Sequence, residues 1–128
     1  MLISARNIVI SVTGERMGKV VVDKRLLGFL REAVVNGLKE ALLLGFRKDE
    51  AYFVTGFIPL GQALNAVNRG NDLVGVFHCH LGSSAPSAED LRYMEIWRLP
   101  WIIYNHHKFN AYILKGKKLT KLCLCLQD

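Results

Sequence analysis

The residues with the clearest chemical potential lie at positions 74–90, in the segment VGVFHCHLGSSAPSAED. Its apolar start predicts a strand that ends in His78 and His80, and side chains two residues apart in a strand point to the same face. Asp90 follows after a short loop and can supply an oxygen ligand beside the two imidazoles. Three protein ligands leave the fourth position of a tetrahedral zinc ion open, which is typical of a catalytic site.

The same segment has a simpler interpretation as a helix start. Ser87 followed three residues later by Asp90 is a capping box, and on that motif alone a purely structural cap is favoured. The two histidines upstream shift the balance towards metal binding. Other donors suit the site less well: His106 and His107 are consecutive in a polar turn, and Glu89 lies about 100° around the helix from Asp90.

The three cysteines argue against a disulfide scaffold and against a four-cysteine zinc module, because their number is odd and there is no C-x-x-C pair. Cys79 stands between the two histidines, so we expect it on the opposite face of the strand, as a small buried residue. Cys123 and Cys125 share one strand face, and we expect them to be packing residues.

Composition predicts one domain over residues 1–128, with a formal charge of +6. No apolar run approaches membrane-spanning length and the start has no signal-peptide pattern, so we expect a cytoplasmic protein without a membrane partner. Part of the charge lies in Lys115, Lys117, Lys118 and Lys121. No nucleic-acid motif accompanies this short turn, which favours a solubility role over nucleic-acid binding.

Hydrophobic periodicity and turn residues predict the elements that position these groups. Segments 7–12 and 19–22 predict two strands of a β-hairpin, joined by a turn at 13–15. Asp23 caps a helix that ends at Asn36–Gly37. The next strand, KEALLLGF, is apolar on both faces and therefore central, with Glu40 at its entrance.

The same patterns predict the remaining strands and a second helix in residues 51–126. Segment 51–60 predicts an antiparallel partner strand, and 61–71 either a short helix or an irregular flap. The ligand strand at 73–80 precedes a helix at 87–98, with Leu91, Met94 and either Ile96 or Trp97 directed inward. Three closing strands are expected at 101–104, 111–114 and 119–126. This order of elements predicts an α+β fold with a mixed, mostly antiparallel sheet flanked by helices.

The motif HCH followed by SAED resembles the His-x-His…Ser-x-x-Asp signature of the JAMM (MPN-plus) zinc metalloproteases, in particular their compact archaeal and bacterial, desampylase-like members. The upstream helix and the strand that Glu40 opens are similar to the corresponding family elements. The loop between His80 and Asp90 is shorter than is usual there, Leu81 replaces a proline, and Glu40 stands closer to Gly45. The resemblance implies an MPN, cytidine-deaminase-like architecture.

The resemblance also implies an activity, hydrolysis of the bond after the C-terminal Gly-Gly of ubiquitin-like (small archaeal modifier) proteins by a metal-activated water. One catalytic Zn²⁺ would be held by His78, His80 and Asp90. Glu40 would be the general base, and the Ser87 hydroxyl would stabilise the oxyanion. A Gly-Gly tail could bind by adding a strand beside the ligand strand.

Two alternatives remain open from sequence. The same chemistry could process the C-terminus of a ThiS/MoaD-like sulfur carrier, or the chain could be a non-proteolytic, nucleic-acid-associated relative with the same motif. Zinc deaminases are excluded because they need H-x-E and P-C-x-x-C. The apolar residues Leu26, Phe29 and Trp97 could form a homodimer interface or belong to the core.

Overall fold

The computed structural model of the protein describes residues 4–5, 8–11, 18–62 and 72–128. These ranges contain nine strands, two α-helices and a 3₁₀ turn at Leu60–Gln62. The strands are β1 (Ser4–Ala5), β2 (Ile8–Ser11), β3 (Lys19–Asp23), β4 (Glu40–Lys48), β5 (Ala51–Pro59), β6 (Leu73–Cys79), β7 (Trp101–Tyr104), β8 (Phe109–Lys115) and β9 (Lys118–Gln127), and the helices are α1 (Lys24–Val35) and α2 (Ala88–Ile96).

Seven of the strands close into a barrel. Their order is β9-β3-β5-β4-β6-β7-β8, and β8 pairs back with β9. Of the nine described pairings five are antiparallel and four parallel. The prediction of a mixed sheet is confirmed, but the description as a sheet flanked by helices understates a strand-rich barrel with only two described α-helices.

The hairpin predicted for the first two strand segments is wrong. β2 pairs in parallel with residues 118–120 of β9, and β3 pairs in parallel with residues 123–127 of the same strand. A short alternating strand carries little information about its partner, and the ten-residue β9 is long enough to pair with both. The turn expected at 13–15 lies outside the described residues, as does most of the segment 61–71.

Helix α1 forms as predicted. The Asp23 side chain accepts a hydrogen bond from the Arg25 N–H at 2.7 Å, and the helix ends at Asn36. Its inward residues, Leu26 among them, pack on the sheet face to which all seven barrel strands contribute. Phe29 is exposed on the outer side of the helix.

Helix α2 covers the opposite face of the sheet. Leu91 and Met94 are buried there against β4, β6, β7, β8 and β9. Ile96 and Trp97 are both exposed, so the expectation that one of them points inward is wrong. Ile96 is still helical but lies about 200° around the helix from Met94, and the chain leaves the helical path at Trp97.

The cysteines divide between the interior and the surface. Cys79 is buried in the α1-side core, on the face opposite His78, as predicted. Cys123 is exposed and Cys125 half-buried, and neither belongs to a core cluster of the described residues, so their assignment as packing residues is wrong. Neither α1 nor α2 is long and apolar enough to cross a membrane.

The β4–β5 pair depends on the absence of a side chain at Gly45, where the register shifts. A Cβ atom there would lie 1.8 Å from the Phe53 carbonyl oxygen. We expect Gly45→Ala to lower the free energy of unfolding by about 3 kcal/mol, measured by urea denaturation. The matched control is Gly28→Ala on exposed α1, where a Cβ has no neighbour within 4 Å and should stabilise by about 0.5–1 kcal/mol. Equal effects at both positions would contradict this account.

Candidate metal centre

Strand β6 holds the first two candidate ligands in a rigid setting. It lies between β4, which is antiparallel to it, and β7, which is parallel. The Cys79 N–H donates to the Lys39 carbonyl at 2.8 Å, and the His80 N–H donates to the Tyr104 carbonyl at 3.0 Å. Both edges of the strand are therefore occupied, and the expected addition of a substrate strand beside it is wrong.

The loop at 81–87 returns the chain to the histidines. Gly82 has φ +86°, a left-handed conformation that glycine adopts without steric cost. The Asn105 side-chain amide donates to the Gly82 carbonyl at 2.6 Å, and the Asn110 amide donates to the Ser84 hydroxyl at 2.5 Å. Sequence reasoning missed both asparagines, because a polar residue after a strand carries no signal of which distant loop it holds.

Asp90 forms the predicted capping box and also lies beside the histidines. Its N–H donates to the Ser87 Oγ at 3.1 Å, and its Oδ2 accepts from the Ser87 N–H at 2.9 Å, which completes the capping box. The residue is only 1% exposed, and its other carboxylate oxygen, Oδ1, faces His78. The structural cap and the ligand position are therefore complementary, and the cap orients the carboxylate.

The structure brings His78, His80 and Asp90 together. The His78 Nδ1 lies 2.7 Å from Asp90 Oδ1, and the His80 Nε2 lies 3.3 Å from Asp90 Oδ2. Each of the three residues has a potential metal-binding atom that lies within 4.8 Å of those of the other two. The two imidazole rings meet edge to face at a centroid distance of 5.3 Å.

The charges of this group support one another. The hydrogen bond from His78 to Asp90 raises the pKa of the imidazole, although burial of the ring opposes this. Burial raises the pKa of Asp90, but the hydrogen bonds from His78 and Ser87 outweigh it, so that the pKa lies below its ordinary value. Asp90 is therefore ionised at neutral pH, as a cation ligand must be.

One atom of the group lacks a partner that a cation would provide. The Nε2 of His80 is buried and has no hydrogen-bond partner among the described residues. A buried polar atom without a partner costs free energy, and such atoms are rare in folded proteins. A divalent ion held by His80 and Asp90 would satisfy it. Two imidazoles and one carboxylate form a donor set that zinc accepts.

Glu40 stands at the other edge of the His78 ring. It is the first residue of β4 and pairs with His78 across the two strands. Its Oε1 lies 3.9 Å from the His78 Nε2, which is longer than a hydrogen bond and leaves room for a bridging water. The side chain is 49% exposed. The structure thus places Glu40 beside the histidines even though it stands closer to Gly45 than the family pattern has it.

An open cavity of about 400 Å³ lies in front of the site. Its walls combine carboxylates and imidazole with apolar and aromatic side chains; the lining residues are Glu40, Leu42, Leu60, Val76, His78, Glu89, Asp90, Tyr93, Trp97 and Trp101. Trp101 meets the His78 ring at a steep angle, with centroids 6.2 Å apart. Sequence reasoning missed Trp101, whose place in an apolar strand reads as core.

The other side chains considered from the sequence do not belong to the His78, His80 and Asp90 group. Ser87 is not among the described residues that line the cavity, and its oxygen is engaged in the helix cap. His106 and His107 are exposed in a turn, and the His106 Nε2 lies 3.5 Å from the sulfur of Cys79, on the face away from His78. Glu89 is exposed at the cavity and does not join the three-residue group.

Comparison with solved structures finds the same fold elsewhere. The chain is similar to the solution structure of a protein from Desulfitobacterium hafniense, with a TM-score of 0.69, 20% identity, and coverage of 85% of this chain and 93% of that one. It is also similar to the crystal structure of a JAB1/MPN domain protein from Archaeoglobus fulgidus, with a TM-score of 0.60, 23% identity, and coverage of 89% and 100%. The predicted MPN architecture is therefore confirmed at the level of the fold. No protein-family model and no curated protein matches the sequence.

The His78–Asp90 pair predicts a pH window for the stability of the metal-free protein. The raised pKa of His78 gives stabilisation that is complete below its ordinary value of 6.5 and is lost as the pH rises through the folded-state pKa. The lowered pKa of Asp90 gives stabilisation that is complete above 3.8 and is lost as the pH falls through the folded-state pKa. Both contributions are present between these values.

We therefore expect the difference in unfolding free energy between the wild-type protein and His78→Gln to be largest between pH 4 and 6.5 and to shrink above it. The variant keeps the capping box, so the helix start is unchanged. The measurement is urea denaturation in the presence of chelator across the pH range. A difference that does not vary with pH would contradict the pairing.

Proposed function

We propose that this protein is a zinc-dependent hydrolase of the JAMM type that cleaves the bond after the C-terminal Gly-Gly of ubiquitin-like proteins. The observation that carries this proposal is the meeting of His78, His80 and Asp90 beside an open cavity that His78 and Asp90 line, with Glu40 at the other ring edge of His78. The fold shared with a JAB1/MPN domain protein supports it.

The ligand set suits a catalytic rather than a purely structural ion. His78, His80 and Asp90 would hold Zn²⁺ and leave one coordination position open. The ion would act as a Lewis acid that polarises the scissile carbonyl and acidifies a water. The protein holds the ligands ready, because the β6 backbone fixes the histidines and the capping box fixes the carboxylate.

Glu40 is the proposed proton carrier. Its carboxylate lines the cavity and is half exposed, so it can reach both a water and the departing group. It accepts one proton from the attacking water as the oxygen bonds to the carbonyl carbon. It then returns that proton to the leaving amine as the carbon–nitrogen bond breaks.

Ser87 is the proposed donor to the oxyanion. In the helix cap its oxygen accepts a hydrogen bond, and this leaves the hydroxyl hydrogen free to donate. A donor positioned before the reaction stabilises the developing negative charge without reorganisation. The cap role and the donor role therefore do not compete for the same atom.

The cavity suits the approach of a glycine tail. Aromatic and aliphatic side chains form one wall, and two glycines carry no side chains that would collide with it. Because both edges of β6 are paired, we place the tail in the cavity instead of in the sheet. The carboxylates of Glu40, Glu89 and Asp90 disfavour a nucleic-acid phosphate there, and the lysine cluster at 115–118 lies on the β8–β9 turn.

The test uses zinc-loaded protein and two substrates, a ubiquitin-like modifier joined through Gly-Gly to a lysine side chain and a ThiS-like carrier with a C-terminal extension. Cleavage of the first that chelator abolishes supports isopeptidase function. Preference for the second supports sulfur-carrier processing. Failure to cleave either, with zinc bound, would overturn the proposal, and salt-dependent DNA binding in that case would favour the nucleic-acid alternative.

We expect Glu40→Gln to keep bound zinc and to lower turnover by about 10²–10⁴-fold, because the general base is lost while the ligands remain. Metal analysis and the cleavage assay measure the two effects separately. The matched control is Glu95→Gln, an exposed carboxylate on α2, which should retain full activity. Full activity of Glu40→Gln would exclude the assigned base.

We expect Ser87→Gly to lower turnover by about 10²–10³-fold, as for loss of an oxyanion donor. Glycine is an acceptable N-cap and costs a helix only a few tenths of a kcal/mol, so thermal unfolding should change little. Ser87→Thr retains both the acceptor and the donor and serves as the control. If Ser87→Gly remains fully active, Ser87 acts only as a cap.

A further inference from the structure

Two thiols lie side by side on the outer surface of β9, away from the candidate metal centre. The sulfurs of Cys123 and Cys125 are 3.2 Å apart. Cys123 is exposed and Cys125 half-buried. The backbone beneath them is fixed by parallel pairing of residues 123–127 with β3. The proposed hydrolytic site lies elsewhere, between β4, β6 and α2.

Packing does not account for this pair. Neither cysteine belongs to a core cluster of the described residues, and an exposed thiol is open to oxidation. Because i and i+2 residues share a strand face, the two sulfurs form a preformed two-point chelate. Their paired neighbours on β3 are Lys19 and Val21, so an ammonium group lies on the same surface, although the hydrogen bond with Cys123 and burial raise the pKa of the Cys125 thiol.

We propose that Cys123 and Cys125 bind one thiophilic cation, such as Cu⁺, Cd²⁺ or Zn²⁺. Thiolate sulfur is the soft ligand that selects such ions, whereas imidazole and carboxylate at the other site suit harder divalent ions. Two thiolates on one tetrahedral zinc-sized ion, with bonds of about 2.3 Å, lie about 3.8 Å apart. The observed separation reaches this value by a small rotation of one side chain. Each thiol releases its proton to solvent as its sulfur binds.

The test is titration of the reduced full-length protein with Cd²⁺ under anaerobic conditions. Ultraviolet thiolate-to-cadmium charge-transfer absorption reports sulfur ligands alone, so binding at the histidines does not interfere. We expect one cadmium per chain with this signal. Cys123→Ser and Cys125→Ser should each weaken the binding by about 10²-fold or more, because the second sulfur no longer binds intramolecularly.

Cys79→Ala is the matched control, because it removes the remaining thiol, which is buried in the α1-side core. It should leave the cadmium signal unchanged. Wild-type affinity in both serine variants, two cadmium ions bound per thiol pair, or one ion bridging two chains in sedimentation analysis would each overturn the proposal. Thermal unfolding of the serine variants, at surface positions, establishes that they are folded.

Discussion

The buried carboxylate of Asp90 is the interaction on which the site depends. A carboxylate removed from water is costly unless hydrogen bonds and opposite charge compensate for its lost hydration. Here the Ser87 N–H satisfies one oxygen and His78 the other. Both partners matter, because burial by itself would raise the pKa of the group. The helix start is in this way tied to the end of β6, and the ligand geometry follows from the requirements of folding.

The pairing of strands in the closed sheet fixes the positions of His78 and Glu40. Because β6 lies between β4 and β7, its backbone cannot shift without breaking hydrogen bonds on both sides. The antiparallel register with β4 then sets Glu40 opposite His78. Each nitrogen of the His78 ring faces a carboxylate, with Asp90 at Nδ1 and Glu40 at Nε2. One carboxylate is buried and the other half exposed, so a ligand and a proton carrier can be distinguished by their environment alone.

The two groups of side chains proposed to bind metal use the same property of a strand in different ways. His78 and His80 stand at the end of β6, where a third ligand comes from a helix across a loop. Cys123 and Cys125 stand within β9, one exposed and one half-buried, and their sulfurs lie against each other. Alternation along a strand brings both pairs together, and the surroundings decide the donor chemistry and the degree of burial.

Local patterns in the sequence were sufficient for the elements and for the three grouped ligands. The cap at Asp23, the apolar period of α1, the apolar strand segments from β4 to β9 and the capping box at Ser87 all depend on a few neighbouring residues, so they can be recognised in the sequence. The meeting of His78, His80 and Asp90 follows in the same way from a strand end, a short loop and a first helical turn.

The tertiary structure alone decided what depends on distant partners. Sequence alternation could not reveal that β2 and β3 both pair with β9, or that β8 and β9 close the barrel. It also could not reveal that β6 is paired on both sides. The reason is that every residue type except proline offers the same backbone hydrogen-bonding groups, so the sequence does not specify the partner strand. The asparagines that hold the ligand loop, the tryptophan against His78 and the exposure of Cys123 likewise arise from contacts across the chain. What the sequence determined by itself was which residues can form strands, helices and ligands; which of them face one another was decided by closure of the sheet.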